Sequence, residues 1–305
     1  MAKIAVALEQ ALARRRLKGE AGRTAPRAIA GGDGWSVADV VCTSGPQDRP
    51  FEERHTHYAI ALVLAGSFQY RSTLGAGLMA PGSVMLGNAG LAYECGHEHA
   101  EGDRCVVFWY EPEYFERLAG AGFRVPRLPP LRSLAPLAAR AAAGAIGAAD
   151  IDWEALAVHV AVRSAALAGE QSSDRVALPL NAAARVTRAL REIDQHPDAC
   201  LSLALLARES RLSPYHFLRT FERLTGVTPH QYVLRARLRD AATRLVAESR
   251  RVIDVAFDAG FGDVSNFNRA FRAEFGVSPR AYRRGILSKR ESVGRVEVNA
   301  AMAGE

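Results

Sequence analysis

The sequence has little cysteine and no long apolar segment, and both absences limit the class of protein. Its four cysteines are too few for a disulfide scaffold and predict free thiols in a reducing cytosol. No window approaches the ~18 consecutive apolar residues of a membrane span. The N-terminal segment has its basic cluster after its apolar stretch, which is the reverse of a secretory signal. We therefore expect a cytoplasmic protein with no membrane partner.

The motifs of several enzyme classes are also missing. The chain has no Gly-rich phosphate loop, no Ser-His-Asp arrangement and no paired carboxylates in a catalytic context. Its hydrophobic fraction of 49% is normal for a packed globular protein and excludes global disorder. At ~150 residues per domain, 305 residues predict two domains.

The charge is concentrated toward the C-terminus. Residues 175–290 contain 21 Lys and Arg against 11 Asp and Glu, a net charge of +10. The remainder contains 18 and 22, a net charge of −4. A basic third on a mildly acidic body is typical of nucleic-acid binding, although a solvated basic surface gives the same balance.

The N-terminal part has the composition of a β-rich domain. From Trp35 to about Tyr110, short apolar runs alternate with Gly and Pro turns, and no helical pattern separates them. We predict strands over 59–64, 67–71, 83–86 and 105–110. The pattern indicates a small sandwich or barrel. A partly disordered leader is expected over 1–30, with one short helix at Ile4–Leu12.

Two helices and a linker are predicted between the β-rich region and the basic third, over 126–174. Residues 135–149 form a weak helix or two short ones, because each internal glycine costs ~1 kcal/mol relative to alanine. Residues 152–167 have an apolar stripe at helical spacing: Trp153, Leu156, Ala157, Val160 and Leu167. This stripe is either a core face or a dimer face. The polar segment 169–174 is the expected interdomain linker.

The C-terminal third contains an internal repeat. Residues 213–232 align with residues 263–282 at an offset of 50, and upstream the match continues at an offset of 49. Seven aligned positions are identical, at Phe217, Arg219, Phe221, Gly226, Val227, Pro229 and Tyr232 of the first copy. Each copy has a short helix, a tight turn, a second helix ending at glycine and a further capped helix. The unit is a helix-turn-helix, present twice.

The second helix of each unit has one apolar face and one face suited to DNA. The apolar positions are Phe217, Phe221 and Leu224 in the first copy and Phe267, Phe271 and Phe275 in the second. The predicted base-contacting residues are Tyr215, His216, Arg219, Ser265, Asn266, Asn268 and Arg269, whose side chains can bind base edges in a major groove. Arg223 and Arg272 lie further along and are predicted to contact phosphates. A solvated helix face is the alternative for any single residue.

The second unit contains a series of motifs typical of one regulator family. They are Ile253-Asp-Val-Ala, Ala259-Gly-Phe, Phe267-Asn-Arg-Ala-Phe, Phe275-Gly and Ser278-Pro-Arg-Ala-Tyr. Through them, residues 178–287 resemble the DNA-binding domain of the AraC/XylS transcriptional regulators. The resemblance implies two units joined by one long helix, which holds the recognition helices about one DNA turn apart. It also implies promoter DNA and RNA polymerase as partners.

One residue departs from the family pattern. Arg211 stands in the turn of the first unit, where a glycine is usual. Since a non-glycine residue rarely adopts a positive φ, the geometry of this turn is an open question at the level of sequence.

The segments His55-x-His57, Gly66 and Pro81-Gly82 resemble the cupin-like β-barrel that senses an effector in that family, here over residues 31–125. A catalytic cupin has a Glu soon after the HxH pair and a later His after the Pro-x-Gly turn. Neither is present here, so a complete cupin metal triad is not expected.

A different set of histidines and cysteines is a candidate metal site. Cys95, His97 and His99 alternate, as do His55 and His57, so each set points to one side of an extended chain. We predict that these five residues bind one transition metal, most suitably Zn²⁺, with iron and copper as alternatives. The cysteines could instead form a thiol redox sensor. Alternatively, the histidines are polar residues at the open end of a barrel, and the cysteines are small residues packed in the core.

Taken together, the sequence predicts an N-terminal small cupin-like β-barrel (α+β) and an all-α double helix-turn-helix domain over 175–288, followed by a tail over 289–305. The predicted function is a sequence-specific transcriptional regulator, not an enzyme, that senses a small molecule, a metal or a redox effector and forms a homodimer. One alternative is a cupin-type metal-dependent enzyme fused to a DNA-binding domain. Another is an architectural DNA-binding protein without a sensor.

Overall fold

The computed structural model describes residues 3–99, 101–171 and 180–285, which form a β-rich N-terminal domain and a helical C-terminal domain. The described strands are β1 (Thr24–Gly32), β2 (Trp35–Cys42), β3 (Phe51–Arg54), β4 (Tyr58–Gly66), β5 (Phe68–Ser72), β6 (Gly75–Met79), β7 (Val84–Gly87), β8 (Ala92–Gly96), β9 (Asp103–Tyr110) and β10 (Arg127–Leu128). The N-terminal helices are α1 (Lys3–Lys18), α2 (Pro112–Ala119), α3 (Ala135–Ala145) and α4 (Trp153–Glu170). The C-terminal helices are α5 (Leu180–Gln195), α6 (Leu203–Glu209), α7 (Pro214–Thr225), α8 (Pro229–Ala247), α9 (Val252–Asp258) and α10 (Val264–Phe275), and a further helix begins at Pro279.

The strands form two antiparallel sheets. The larger has the order β1-β2-β9-β4-β7-β10 and the smaller the order β3-β8-β5-β6. Apolar side chains fill the layer between them, including Ala61, Tyr70, Met79 and Val107. Helices α2 to α4 cover the opposite face of the larger sheet, so the domain has three layers.

The cupin-like barrel expected from the sequence is not confirmed, because no closed barrel is found in the described part of the chain. The strand orders end in separate edges, β1 and β10 in one sheet and β3 and β6 in the other. The four predicted strands are present as β4, β5, β7 and β9. The local strand signals were therefore right, but closure depends on edge pairing that no local signal reports.

The prediction of a partly disordered leader was wrong. Helix α1 packs Leu8 and Leu12 against Ala65 of β4, and Arg15 forms an ion pair with Asp48 at 2.6 Å. Strand β1 then pairs with β2 along its whole length. The N-terminal domain therefore begins well before residue 31.

The boundary expected at residue 125 was also misplaced. Strand β10 joins the larger sheet, and α3 and α4 pack on that sheet. On α4, Leu156, Ala157, Val160 and Leu167 are buried, with Trp153 packed beside them, so the stripe is a core face. Residues 126–170 are thus part of the N-terminal domain. The end of the predicted linker, residues 172–174, and the tail over 289–305 lie outside the described residues.

The helical C-terminal domain follows the predicted order closely. Helices α5 to α10 include the short helix, the second helix and the further capped helix that the repeat predicts, and capping residues or glycines mark many of their ends. Among the described residues, no helix is both long enough and apolar enough to cross a membrane.

Candidate nucleic-acid interface

The first helix-turn-helix unit consists of α6, a tight turn and α7. Ser202 and Ser213 cap the two helices, accepting hydrogen bonds from the backbone N–H groups of Leu205 and His216 at 3.2 and 3.3 Å. The turn contains Arg211 with φ +52°, which is the sole non-glycine residue of the described chain with a positive φ. The corresponding residue of the second unit, at the offset of 49, is Gly260 with φ +83°. Both units therefore use a left-handed turn, which answers the question raised by Arg211.

Helix α7 buries its apolar face and exposes the face predicted to bind DNA. Phe217, Phe221 and Leu224 are fully buried. The exposed residues are Tyr215, His216, Arg219 and Arg223. The Arg219 guanidinium donates to the Tyr215 hydroxyl at 3.3 Å and lies over its ring at 5.8 Å. Despite this contact Tyr215 is 66% exposed.

Helix α10 of the second unit has the same organisation. Asp263 caps it by accepting from the Asn266 backbone N–H at 2.6 Å. Phe267 and Phe271 are fully buried and Phe275 is nearly so. The exposed residues are Ser265, Asn266, Asn268, Arg269 and Arg272. Arg269 donates to the Asn266 side-chain oxygen at 3.1 Å, so these two groups are already oriented on one surface.

Helix α8 contributes residues to the hydrophobic cores of both units. Its first half, with Tyr232 and Ala236, packs in the core of the first unit. Its second half, with Leu238 and Leu245, packs in the core of the second. Nineteen residues at ~1.5 Å each give a rod of about 28 Å, comparable to one turn of DNA. The two recognition helices are therefore held by one rigid element.

A segment of the N-terminal domain, residues 127–132, contacts both units and is called the bridging segment below. Arg127 donates to the backbone carbonyls of Leu224 and Thr225 at 2.8 and 3.4 Å, at the C-terminus of α7. Burial lowers the pKa of Arg127 to about 10. Its guanidinium meets the negative end of the α7 dipole.

The same segment reaches α8 and α10. The carbonyl of Pro130 accepts a hydrogen bond from Arg235 of α8. Arg132 and Arg235 both lie 3.5 Å from the buried carboxylate of Glu274 on α10. All these groups lie on faces other than the exposed recognition faces. The N-terminal domain therefore contacts both α7 and α10 away from the faces predicted to bind DNA.

A cavity of about 270 Å³ lies between the two domains. Its apolar wall comes from α1 and α3 and includes Leu8, Leu12 and Ile146. The opposite wall includes Asp194 and Arg239, which form an ion pair at 3.1 Å. Burial raises the pKa of Asp194 to about 6, against the opposing effect of Arg239. An apolar chamber with a few polar groups is typical of small-molecule sites.

The structure does not bring the five predicted metal ligands together. The Nε2 atom of His55 lies 3.0 Å from the Tyr70 hydroxyl, and its ring stacks on Tyr93 at 3.9 Å. His57 contacts Thr56 at 2.8 Å. The physical reason is that β3 ends at Arg54 and β8 ends at Gly96, so strand alternation does not extend to these histidines.

The remaining predicted ligands also have separate surroundings. Cys95 lies in the core between the two sheets, where burial raises its pKa. His99 lies 3.9 Å from Glu98, and its backbone carbonyl accepts from Arg191 of α5. His97 alone joins a cluster suited to a metal, and its partners there are Cys42 and Asp103, neither of them predicted. The pairing of β2 with β9, which sets Cys42 opposite Asp103, was the missing signal.

Comparisons with known proteins match the helical domain. A family described as a helix-turn-helix domain matches residues 206–285. The chain is 42% identical over 91 residues to the probable transcriptional regulator LumQ of Photobacterium leiognathi, covering 30% of this chain and 36% of LumQ. It is 35% identical over 91 residues to the regulatory protein SoxS of Salmonella typhimurium, covering 30% of this chain and 85% of SoxS.

A solved structure also matches part of this chain. The DNA-binding domain of AdpA, described as a global transcriptional factor and solved with a target DNA, is 27% identical to this chain. The match covers 35% of this chain and 96% of that one, with a TM-score of 0.34. The chain thus spans about a third of the length of LumQ and most of the length of SoxS.

Proposed function

The chain belongs to the AraC/XylS family of transcriptional regulators, and from this we propose that it binds promoter DNA in a sequence-specific way through α7 and α10. The observation that carries the proposal is the repeated recognition face. Both helices bury three apolar residues and expose a polar and basic face, and Phe217, Arg219 and Phe221 recur at an offset of 50 residues. A helix of this kind fits the major groove, and two of them on one rod read two successive grooves.

The proposed contacts divide into two groups. Base edges are read by Tyr215, His216, Arg219, Ser265, Asn266, Asn268 and Arg269. Arg223 and Arg272 bind phosphates, because they lie nearer the C-terminal ends of their helices. The net charge of +10 over 175–290 supports a large electrostatic share of the affinity.

The N-terminal domain is proposed to act as a sensor. It contacts both recognition units through the bridging segment, and the interdomain cavity offers a site for a small apolar effector. A ligand there changes DNA binding only by favouring one domain arrangement over another. RNA polymerase is the proposed protein partner. A homodimer would have to form through a surface other than the buried α4 stripe.

The test uses the full chain and DNA from its own upstream region. Binding is measured by anisotropy against that fragment and a shuffled fragment of equal composition, at several salt concentrations. We expect affinity to fall by orders of magnitude between low and physiological salt, with a clear preference for the native sequence. Equal binding to both fragments at every salt concentration contradicts the proposal.

A further inference from the structure

We propose that Cys42, His97 and Asp103 form a Zn²⁺ site, and that the ion couples the N-terminal domain to DNA affinity. The second part rests on the proposed function; the first does not. Cys42 and Asp103 are opposed at the ends of β2 and β9, and Leu8 and Leu12 of α1 lie close to the neighbouring Gly102. The set of three ligands differs from the five ligands predicted from the sequence and shares only His97 with them.

The donor set and spacing fit zinc. A thiolate, an imidazole and a carboxylate are all zinc ligands, and this mixture disfavours Mg²⁺ and Ca²⁺. One ligand atom from each residue lies within 4.8 Å of the others. A tetrahedral ion with bonds of about 2.0–2.3 Å holds its ligand atoms about 3.5 Å apart, so small side-chain shifts are enough. On binding, the Cys42 thiol releases one proton to solvent, and the His97 imidazole, which Asp103 and Cys42 hold in its protonated form against the effect of burial, releases another.

An unpartnered buried nitrogen is the second observation. The His97 side chain is only 2% exposed, and its Nε2 atom lies 2.8 Å from Asp103 Oδ2. Within the described residues, its Nδ1 atom is buried with no hydrogen-bond partner. An orphaned polar atom of this kind is costly in a protein interior unless something binds it. A metal ion bound through Nδ1 removes that cost once the Asp103 carboxylate moves from Nε2 to reach the same ion.

Sheet pairing fixes two of the three ligands. Cys42 and Asp103 are directly opposed partners at the ends of β2 and β9. Cys105 follows two residues later on the same face of β9, and its Sγ lies 3.2 Å from Asp103 Oδ1. Strand pairing therefore holds Cys42 and Asp103 in place. His97 completes the cluster and directly follows the end of β8.

Two residues that lie between His97 and Asp103 in the sequence, His99 and Glu101, contact helices outside this cluster. Arg191 of α5, in the helical domain, donates to the His99 carbonyl at 3.3 Å. Glu101 forms an ion pair with Arg16 of α1. An ion bound to His97 and Asp103 would also restrain His99 and Glu101, and with them their contacts with α5 and α1. Metal binding would thus bias the position of the helical domain.

The experiment begins with the full chain purified without a His-tag and stripped with a chelator. Zinc is titrated against a competing chromophoric chelator, and Co²⁺ is used as a spectroscopic probe of thiolate ligation. We expect one zinc per chain, and a thiolate-to-cobalt charge-transfer band. Cys42→Ser and Asp103→Asn should each weaken zinc binding by more than about 100-fold, and Cys42→Ser should abolish the band.

Matched controls separate the site from other cysteines and histidines. Cys200→Ser replaces an exposed thiol and His55→Gln a buried imidazole, and both should bind zinc as the wild type does. Asp103→Asn keeps the side-chain shape, so it remains informative if Cys42→Ser fails to fold. Substoichiometric zinc, or unchanged binding in both site variants, overturns the site. The site is also overturned if Cys42 is found in a disulfide and the protein takes up no metal after that disulfide is reduced.

The coupling is tested on the same samples with promoter DNA. We expect zinc to change the affinity of the wild type at least several-fold and to leave that of Asp103→Asn unchanged. Stoichiometric zinc with no change in DNA affinity overturns the coupling and leaves a structural site. Failure of the proposed function looks different, because DNA would then be bound without sequence preference whether or not zinc is present.

Discussion

The guanidinium of Arg127 donates a hydrogen bond of 2.8 Å to the backbone carbonyl of Leu224, across the boundary between the two domains. Leu224 lies in the last turn of α7, where carbonyl groups have no partners within the helix. A residue of the N-terminal domain therefore completes the hydrogen bonding at the end of α7, one of the two proposed recognition helices.

Replacing Arg127 should loosen this helix end. Arg127→Met keeps the side-chain length but removes every donor, and we expect a loss of about 1–2 kcal/mol in the free energy of unfolding. Amide exchange should quicken around residues 222–226. Gly77→Ala should act similarly, because a Cβ there would lie 2.3 Å from the Arg127 side chain. Arg124→Met, at an exposed position nearby, is the control, and an equal effect there would contradict the assignment.

The recognition faces predict two distinguishable kinds of DNA-binding variant. Arg219→Ala and Arg269→Ala should lower discrimination between native and altered sites by about 1–3 kcal/mol, because they remove base contacts. Arg223→Ala and Arg272→Ala should weaken all sequences alike and reduce the salt dependence. Affinities for native and shuffled DNA at fixed salt measure both effects. Equal losses on both DNAs for the first pair would show that those arginines bind phosphates.

Substitutions on the apolar face of α10 should lower the stability of the fold without changing the DNA sequence preference. Phe271 is fully buried among Phe267, Phe275 and Tyr282, and Phe271→Ala should cost about 3–5 kcal/mol. Urea unfolding measures this loss, and the exposed neighbour Arg272→Ala should change stability by less than about 0.5 kcal/mol. An unchanged midpoint for Phe271→Ala would mean that the faces are reversed.

Substitutions at Arg211, in the left-handed turn, should change the free energy of unfolding according to how well the new residue adopts a positive φ. Because a side chain at φ +52° is strained, Arg211→Gly should leave stability unchanged or raise it by up to about 1 kcal/mol. Arg211→Val should lower it by about 1–2 kcal/mol, since β-branched residues fit this region poorly. Arg208→Gly lies within helix α6 and should cost about 1 kcal/mol. A destabilised Arg211→Gly variant would show that the arginine side chain itself supports the turn.

Burial of His55 predicts a pH-dependent loss of stability. Burial lowers the pKa of His55 to about 4 from 6.5, so the unfolded chain binds this proton more readily than the folded one. Protonation of His55 therefore has no effect on the free energy of unfolding above pH 6.5. As the pH falls toward 4, it lowers that free energy by up to about 3 kcal/mol. Its neighbours Tyr70 and Tyr93 have raised pKa values and stay neutral in this range. Unfolding at about pH 7 and about pH 4.5 should show a smaller acid loss for His55→Gln than for the wild type.

Much of the helical domain could be predicted because its signals are local. Ser213, Gly226 and Asp263 mark helix ends by capping or by a left-handed φ, and they do so within a few residues of chain. The repeat supplied a second, independent copy of the same pattern. The recognition faces followed directly, since a helix of known ends has a known apolar side.

The N-terminal errors have a common physical origin. Strand β1 contains Pro26 and two terminal glycines, and it is a strand because it pairs with β2. The cluster of Cys42 with His97 and Asp103 likewise depends on pairing between distant strands. The contact of Arg127 with Leu224 spans 97 residues. Neither alternation nor helical periodicity carries information about such long-range contacts.

Two of the hydrophobic clusters contain residues from both halves of the molecule. Leu78 and Ala80 of the β-rich half pack in the core of the first DNA-reading unit. Ala143 and Ala148 pack in the core of the second. A chimera that joins this helical half to the front half of a relative would strip both cores of these neighbours. Recombination between relatives would therefore have to preserve these contacts between the halves as well as each fold.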